Sequence, residues 1–315
     1  MEFYIQLWAA TYTYLRGICE FMMISDRKLK VLCLHGHPGN SEAMQIFVQH
    51  FEARGTSAIA TDLRGYGNCK ADSAFTMLDH IQDIENLLID DRDNDRVSEV
   101  DNSEYLILGW SLGGILAIEL ALRAIGWEGE SIPNSGRNSA IKPRIVGLIL
   151  IATAAKPCSD LPKIVWWEYM NLAIAVALQL AIPKQHWLVT WFGKRSLIKY
   201  LIQQHTPTAY AQIATIGAKA YLQTSRYAQM ALTQALKQRY DRTPDLAKIQ
   251  IPCLAIAAAQ DRHITAASTA ETAKLLPNCE FICYPDTAHL LPWEIGDRLL
   301  ADIDAWCVAK LSLKI

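Results

Sequence analysis

Several stretches of this chain are near-continuous apolar runs, too short for ordinary helices and too oily for half-exposed strands. They are "KVLCLHG" at 30–36, "YLILGWS" at 105–111, "RIVGLILIATAA" at 144–155 and "IPCLAIAAAQD" at 251–261, with "TSAIATDLRGYG" at 56–67 a weaker member. Strands of that kind are buried on both faces, as happens where a parallel sheet is covered by helices on each side. Helical patterns stand between them. Met44, Phe47, Val48 and Phe51 mark one within 40–55; Met77, Ile81, Ile84, Leu87 and Leu88 mark a second within 75–90; and "LGGILAIELALRAIG" follows the strand at 105–111. Further on, "AASTAETAKLL" leads to a last strand at 279–286, and "EIGDRLLADIDAWCVAKL" closes the chain. The alternation predicts an α/β fold, a mostly parallel central sheet with helices on both faces.

The rhythm breaks between 156 and 247, where no good strand occurs and Trp166, Trp167, Trp187, Trp191 and Phe192 gather among helical patterns. This stretch is predicted to be a helical cap inserted into a core made of residues 1–155 and 248–315. The polar run at 90–104 and the Gly, Ser, Asn and Pro load of 127–143 are expected to be surface connections. Residues 1–29 are either two antiparallel edge strands joined near Ala10 or a leader before Met22 or Met23.

Composition narrows the function classes. Of 315 residues 51% are apolar and 20% charged, and the net charge of -2, without a basic stripe, argues against nucleic acid as a partner. The eight cysteines show no C-x-x-C and no zinc-like spacing, so they are expected to pack as reduced side chains, with no metal or cofactor. No secretory pattern opens the chain, which points to the cytoplasm. "IVWWEYMNLAIAVALQLAIP" at 164–183 nears the length of a bilayer span, but Glu168, Asn171 and Gln179 interrupt it and Pro183 ends it. A buried or groove-lining helix is expected there rather than a span, with membrane association through 164–202 as a lesser alternative.

Chemistry is suggested by Gly109-Trp110-Ser111-Leu112-Gly113, where a strand ends and a helix begins. A serine on such a sharp turn stands clear of the sheet, and its hydroxyl needs a base and an orienting acid to become a nucleophile. His289, in "YPDTAHLLPWE", follows the last strand and is the expected base. Asp261, in "QDRHIT", follows the strand before and is the expected acid, with Asp160 and Asp286 as rivals. His263 is a weaker candidate base because it precedes the last strand. The oxyanion donors are expected to be the backbone N–H groups of Leu112 and of His37 in "HGHPG", with His35 propping that turn. Trp110, Trp166 and Trp187 are candidate pocket residues.

In family order, "HGHPG", "DLRGYG", "GWSLGG", "QDRHI" and "DTAHLLPWE" resemble the α/β-hydrolase superfamily across roughly 30–155 and 248–310. The resemblance implies a serine-hydrolase triad of Ser111, Asp261 and His289 and leaves substrate choice to the cap. Dehalogenase and epoxide-hydrolase relatives attack with a carboxylate, so Ser111 argues against both. The expected activity is hydrolysis of a small-molecule carboxylic ester or thioester with a hydrophobic portion through an acyl-enzyme. "GWSLGG" is also similar to the elbow of pimeloyl-carrier-protein methyl ester esterases. Residues 156–245 hold eleven Lys and Arg against four Asp and Glu, a balance of +7 that would suit an acidic carrier protein. Carbon–carbon bond hydrolases, perhydrolases and slow-turnover ligand receptors share the same triad.

Overall fold

The structure, a computed structural model, describes residues 29–94, 103–126 and 144–313. The two readings for residues 1–29, apart from Leu29 itself, the surface loop at 127–143 and most of the polar connection at 90–104 lie outside the described residues. Six strands, β1 (Leu29–Leu34), β2 (Ser57–Thr61), β3 (Glu104–Trp110), β4 (Arg144–Ile151), β5 (Cys253–Ala258) and β6 (Cys279–Tyr284), form one sheet in the order β2-β1-β3-β4-β5-β6. Every pairing is parallel, so the α/β fold with a covered parallel sheet is as expected.

The helices of the core are α1 (Gln45–Glu52), α2 (Met77–Asn94) and α3 (Leu112–Gly126). Five more, α4 (Trp166–Ala181), α5 (His186–Gly193), α6 (Pro207–Gln212), α7 (Ala218–Gln223) and α8 (Arg226–Lys237), fill the stretch from 156 to 247, which adds no strand to the sheet. The chain then returns through α9 (Ala266–Leu275), the short α10 (Leu291–Glu294) and α11 (Gly296–Leu311).

Because successive strand residues point to opposite faces, the sheet feeds two cores at once. Leu32, Leu34, Tyr105, Ile107, Leu148 and Leu150 pack with α2 and α3. Val31, Cys33, Leu106, Leu108, Ile149 and Ile151 pack on the other face with Phe47 and Phe51 of α1 and Ile303 and Trp306 of α11. A third, smaller core lies within the helical stretch, where Ala175, Val189, Ile198, Tyr210 and Ile213 meet Leu290 and Trp293.

Two strands end sooner than their apolar runs. β4 stops at Ile151 because Ala152 takes φ 45°, its N–H already bonded to the Ile256 carbonyl at 2.8 Å. β2 stops at Thr61 because the Asp62 carboxylate turns the chain, accepting the N–H groups of Ser41 at 2.6 Å and Asn68 at 2.8 Å. Among the described cysteines none is in a disulfide; Cys33, Cys253 and Cys307 are buried, whereas Cys69, Cys158 and Cys283 are exposed rather than packed.

Candidate active site

The strand order reverses between β1 and β3, and ligands of open parallel sheets bind outside the carboxyl ends of the strands at such a switch. Ser111 is the first residue beyond β3, with φ 56°, a left-handed backbone that a non-glycine residue holds only when its surroundings enforce it. They do so here. The Ser111 N–H bonds the Ile151 carbonyl at 2.9 Å, and the Ser111 carbonyl accepts from Thr153 Oγ1 at 2.8 Å and from the N–H of Gly114 at 3.0 Å.

Close approach explains the neighbouring glycines. A side chain on Gly113 would fall on the Leu34 carbonyl, so its absence lets α3 press against the end of β1. A Cβ on Gly36 would stand 3.1 Å from the Ser111 Cβ and 3.7 Å from Oγ, which puts the turn after β1 directly beside the hydroxyl.

His289, beyond β6, and Asp261, beyond β5, converge on the same rim. His289 Nε2 lies 3.1 Å from Ser111 Oγ, and His289 Nδ1 lies 2.7 Å from Asp261 Oδ2. The other carboxylate oxygen of Asp261 accepts the N–H groups of His263 at 2.8 Å and Ile264 at 3.1 Å, which fixes the carboxylate's rotation. A carboxylate only accepts, so Nδ1 carries the proton and Nε2 turns a lone pair to the serine hydroxyl. All three side chains are buried.

Neither rival acid is the partner of His289 Nδ1. Asp160 Oδ1 accepts from Arg262 Nε at 3.2 Å, and Asp286 contributes its backbone carbonyl to Gln204 Nε2 at 3.1 Å. His263 stacks its ring 4.9 Å from that of His289, and burial foremost, then the nearness of His289, brings its pKa down to about 3. It therefore stands beside the base as an uncharged ring.

At the turn after β1, His35 accepts the Leu63 N–H on Nε2 at 3.0 Å, leaving Nδ1–H to reach the Gly36 carbonyl at 2.8 Å. Burial lowers its pKa to about 4, so it is a neutral prop. The His37 ring turns to the Tyr66 hydroxyl at 2.9 Å, and burial lowers its pKa to about 4 as well. Leu112 opens α3, where the first N–H groups have no acceptor within the helix.

The three candidate pocket tryptophans separate. Trp110 is buried, packs edge-on against Trp293 at 5.4 Å and donates its indole N–H to the His289 carbonyl at 3.1 Å. Trp166 and Trp187 are instead 67% and 66% exposed. The same loop holds a residue that sequence reasoning missed. Glu294 accepts the Ala288 N–H at 2.7 Å on one oxygen and the N–H groups of Gln203 and Gln204, both at 2.6 Å, on the other. Burial holds its carboxyl above the usual range despite these donors. An acid five residues after His289 was the only trace it left in the sequence. Among the described residues no three His, Cys, Asp or Glu side chains are grouped to hold a metal ion.

The profile of the Alpha/beta hydrolase family matches residues 31–302. The chain belongs to this family. Solved structures agree on the fold of this hydrolase. An esterase from Thermogutta terrifontis, solved with malate bound, is 21% identical, covers 88% of this chain and 89% of its own, and has a TM-score of 0.59. An esterase from Exiguobacterium antarcticum is 17% identical over 88% and 91% of the two chains at 0.60, and the enol-lactonase from Burkholderia xenovorans LB400 is 16% identical over 89% and 91% at 0.60. A search of the curated proteins finds no match. Among the described residues no helix is long and apolar enough to cross a membrane.

Proposed function

We propose that this hydrolase cleaves a carboxylic ester or thioester with a hydrophobic acyl or alcohol portion by way of an acyl-enzyme on Ser111. The observation that carries the reading is the unbroken contact from the Asp261 carboxylate through the His289 imidazole to the Ser111 hydroxyl. In the proposed reaction Ser111 Oγ attacks the carbonyl carbon while His289 Nε2 takes its proton, and Asp261 stabilises the resulting imidazolium. The same proton then goes to the leaving alkoxide or thiolate. Water, deprotonated by His289 in its turn, frees the acid and restores the serine.

The oxyanion of each tetrahedral intermediate would be met by the N–H of Leu112, at the positive end of α3, and that of His37 in the turn that Gly36 brings beside Ser111. The helical stretch from 156 to 247 serves as the cap over this rim, a role supported by the packing of its core on Leu290 and Trp293 next to His289. Esterase and lactonase activities are named for structural neighbours, which is consistent with ester chemistry.

Labelling the intact protein with a fluorophosphonate and mapping the adduct tests the assignment. Modification of Ser111, with turnover of p-nitrophenyl esters that ceases in Ser111→Ala, is the expected result. A protein that stays unlabelled and inert on acyl chains of every length would overturn it, and a binding role without turnover would then take its place.

A further inference from the structure

The helices α4 and α5 are turned inside out. A surface helix of a globular protein presents charged and polar residues to water, yet the outward stripe of α4 reads Trp166, Met170, Ala173, Ala177 and Leu180, spaced four, three, four and three apart and all exposed. The lone charged residue of α4, Glu168, is buried and paired with Lys199 at 2.7 Å. Helix α5 continues the pattern with Trp187 and Trp191 one turn apart, 66% and 47% exposed. The two helices pack together, and Asn171 Nδ2 ties α4 to the Arg195 carbonyl at the end of α5, 3.1 Å away. Their inward sides, Leu172, Ala175, Leu178 and Val189, already fill the small third core, so the outward stripe is surplus to folding.

Lysine and arginine dominate the charges of this stretch. From 161 to 240 the chain has nine Lys and Arg but a single acid, the buried Glu168. Lys163, Lys184, Lys194 and Arg195 stand exposed at the ends of α4 and α5, and the Arg195 guanidinium lies 4.0 Å over the Trp191 ring. A protein interface also gathers aromatic residues, methionine and arginine, but it is depleted in lysine, and three of the four flanking cations here are lysines. Tryptophan and tyrosine beside lysine and arginine, with the exposed acid at the stretch's N-terminal border, Asp160, already paired with Arg262 at 3.2 Å, match instead the chemistry of a lipid headgroup layer.

We infer that α4 and α5 form a docking surface for an anionic lipid–water interface, lying in its plane with Trp166, Met170, Leu180, Trp187 and Trp191 at the acyl boundary and the flanking cations among the headgroups. This surface takes up the lesser alternative of membrane association through 164–202; lying on a bilayer is a different requirement from spanning one. It does not depend on the ester chemistry at Ser111. Through Leu290 and Trp293 the docked helices pack on the loop that carries His289, so the lipid surface and the candidate active site share one packed body.

The test is sedimentation of the full chain with vesicles of phosphatidylglycerol and, separately, of phosphatidylcholine. Binding to phosphatidylglycerol vesicles that weakens with added salt is expected, with little binding to phosphatidylcholine. The pair Lys194→Glu and Arg195→Glu should lower the partition coefficient by at least about tenfold, as should Trp187→Ser with Trp191→Ser, while Val308→Ser, exposed on α11, should leave it unchanged. Circular dichroism checks that each variant folds. Absence of binding overturns the inference, and so does binding that the α5 variants leave intact. A dimer that the tryptophan variants split, or capture of an acidic acyl carrier protein by a chain that ignores vesicles, would assign the face to a protein and overturn it too.

Discussion

The rim of the sheet and the helical stretch from 156 to 247 spend their aromatic and polar residues in opposite ways. At the rim, the polar groups of the candidate site are taken inward and answered, Ser111 by His289, His289 by Asp261, Asp261 by two backbone N–H groups, Glu294 by three, and only Nε2 of the neighbouring His263 is left without a partner there. Trp110 is buried there as a strut beneath His289. In the helical stretch the outer face of α4 and α5 keeps its cations at its ends and turns its tryptophans to water. The difference teaches that the rim is specified from within, by contacts the chain makes with itself, whereas the outer face of α4 and α5 is specified by something the chain meets.

The largest expected effect tests whether the rim's polar chain is chemical rather than structural. Ser111→Ala should lower kcat on a p-nitrophenyl ester by about 10⁴-fold or more, while urea denaturation changes by no more than about 1 kcal/mol, the hydrogen bond of the hydroxyl, since serine already bears the strain of positive φ. A variant that unfolds in step with its loss of activity would mean that the serine holds the rim together rather than acting in it.

Acid should then separate the two regions. His35, His37 and His80 are lowered to about 4 and His263 to about 3, each chiefly by burial, and these four belong to the core, against one counterpart in the helical stretch, His205, which burial lowers to about 4. Unfolded histidines titrate near about 6.5, so as pH falls the unfolded chain takes up protons first. Their contribution is complete above that value and drains as pH drops through it towards the native values. From about pH 7 to about pH 5.5 each should cost about 1 kcal/mol. Urea midpoints at the two pH values measure the sum, and amide exchange should show β1 and β3 losing protection before α4 and α5. Equal loss everywhere would dissolve the distinction.

What the sequence made legible follows the same line. The apolar runs identified the four inner strands, because a doubly buried strand has few other sequences open to it, while the partly exposed edge strands β2 and β6 left a weaker trace, and the order Ser111, Asp261, His289 was readable because each residue follows a strand at the same sheet edge. Strand ends were not, since β4 stops where Ala152 takes a left-handed turn held by a neighbouring strand. Glu294 was invisible for a similar reason: its partners at 203 and 204 are far away in the chain, and only folding brings them to one carboxylate. The stretch 164–183 was expected to be buried or groove-lining, and periodicity cannot tell that from an apolar helix facing out. Its outward stripe is visible only once its inward one is known.

Glu294 is where the two regions meet, and Glu294→Gln sharpens the comparison. Glutamine keeps the shape but turns one acceptor into a donor, so one of the three N–H groups loses its partner, at a cost of about 1–3 kcal/mol. The native carboxyl is already held above its usual range by burial, which limits the loss to the hydrogen bond itself. Because Ala288 N–H adjoins His289, the variant should lower kcat and raise KM together, with Ser111 still open to fluorophosphonate. Unchanged kinetics alongside lowered stability would reduce Glu294 to a staple.

The smallest expected effect bears most directly on the contrast. Phe47→Ala, which empties a fully buried site between α1 and the sheet, should cost about 3–5 kcal/mol. Trp187→Ser removes a larger ring from the molecule, and if that ring were packed for folding the loss would be at least as great. Its exposure predicts instead a change within about 0.5 kcal/mol in the absence of lipid, measured by urea denaturation. A near-zero value means that folding gains nothing from the ring, so its retention in so apolar a helix has to be explained by an external surface. A value near that of Phe47→Ala would mean that α5 is buried in solution by a second copy or by residues outside those described, and the two regions would then follow one rule.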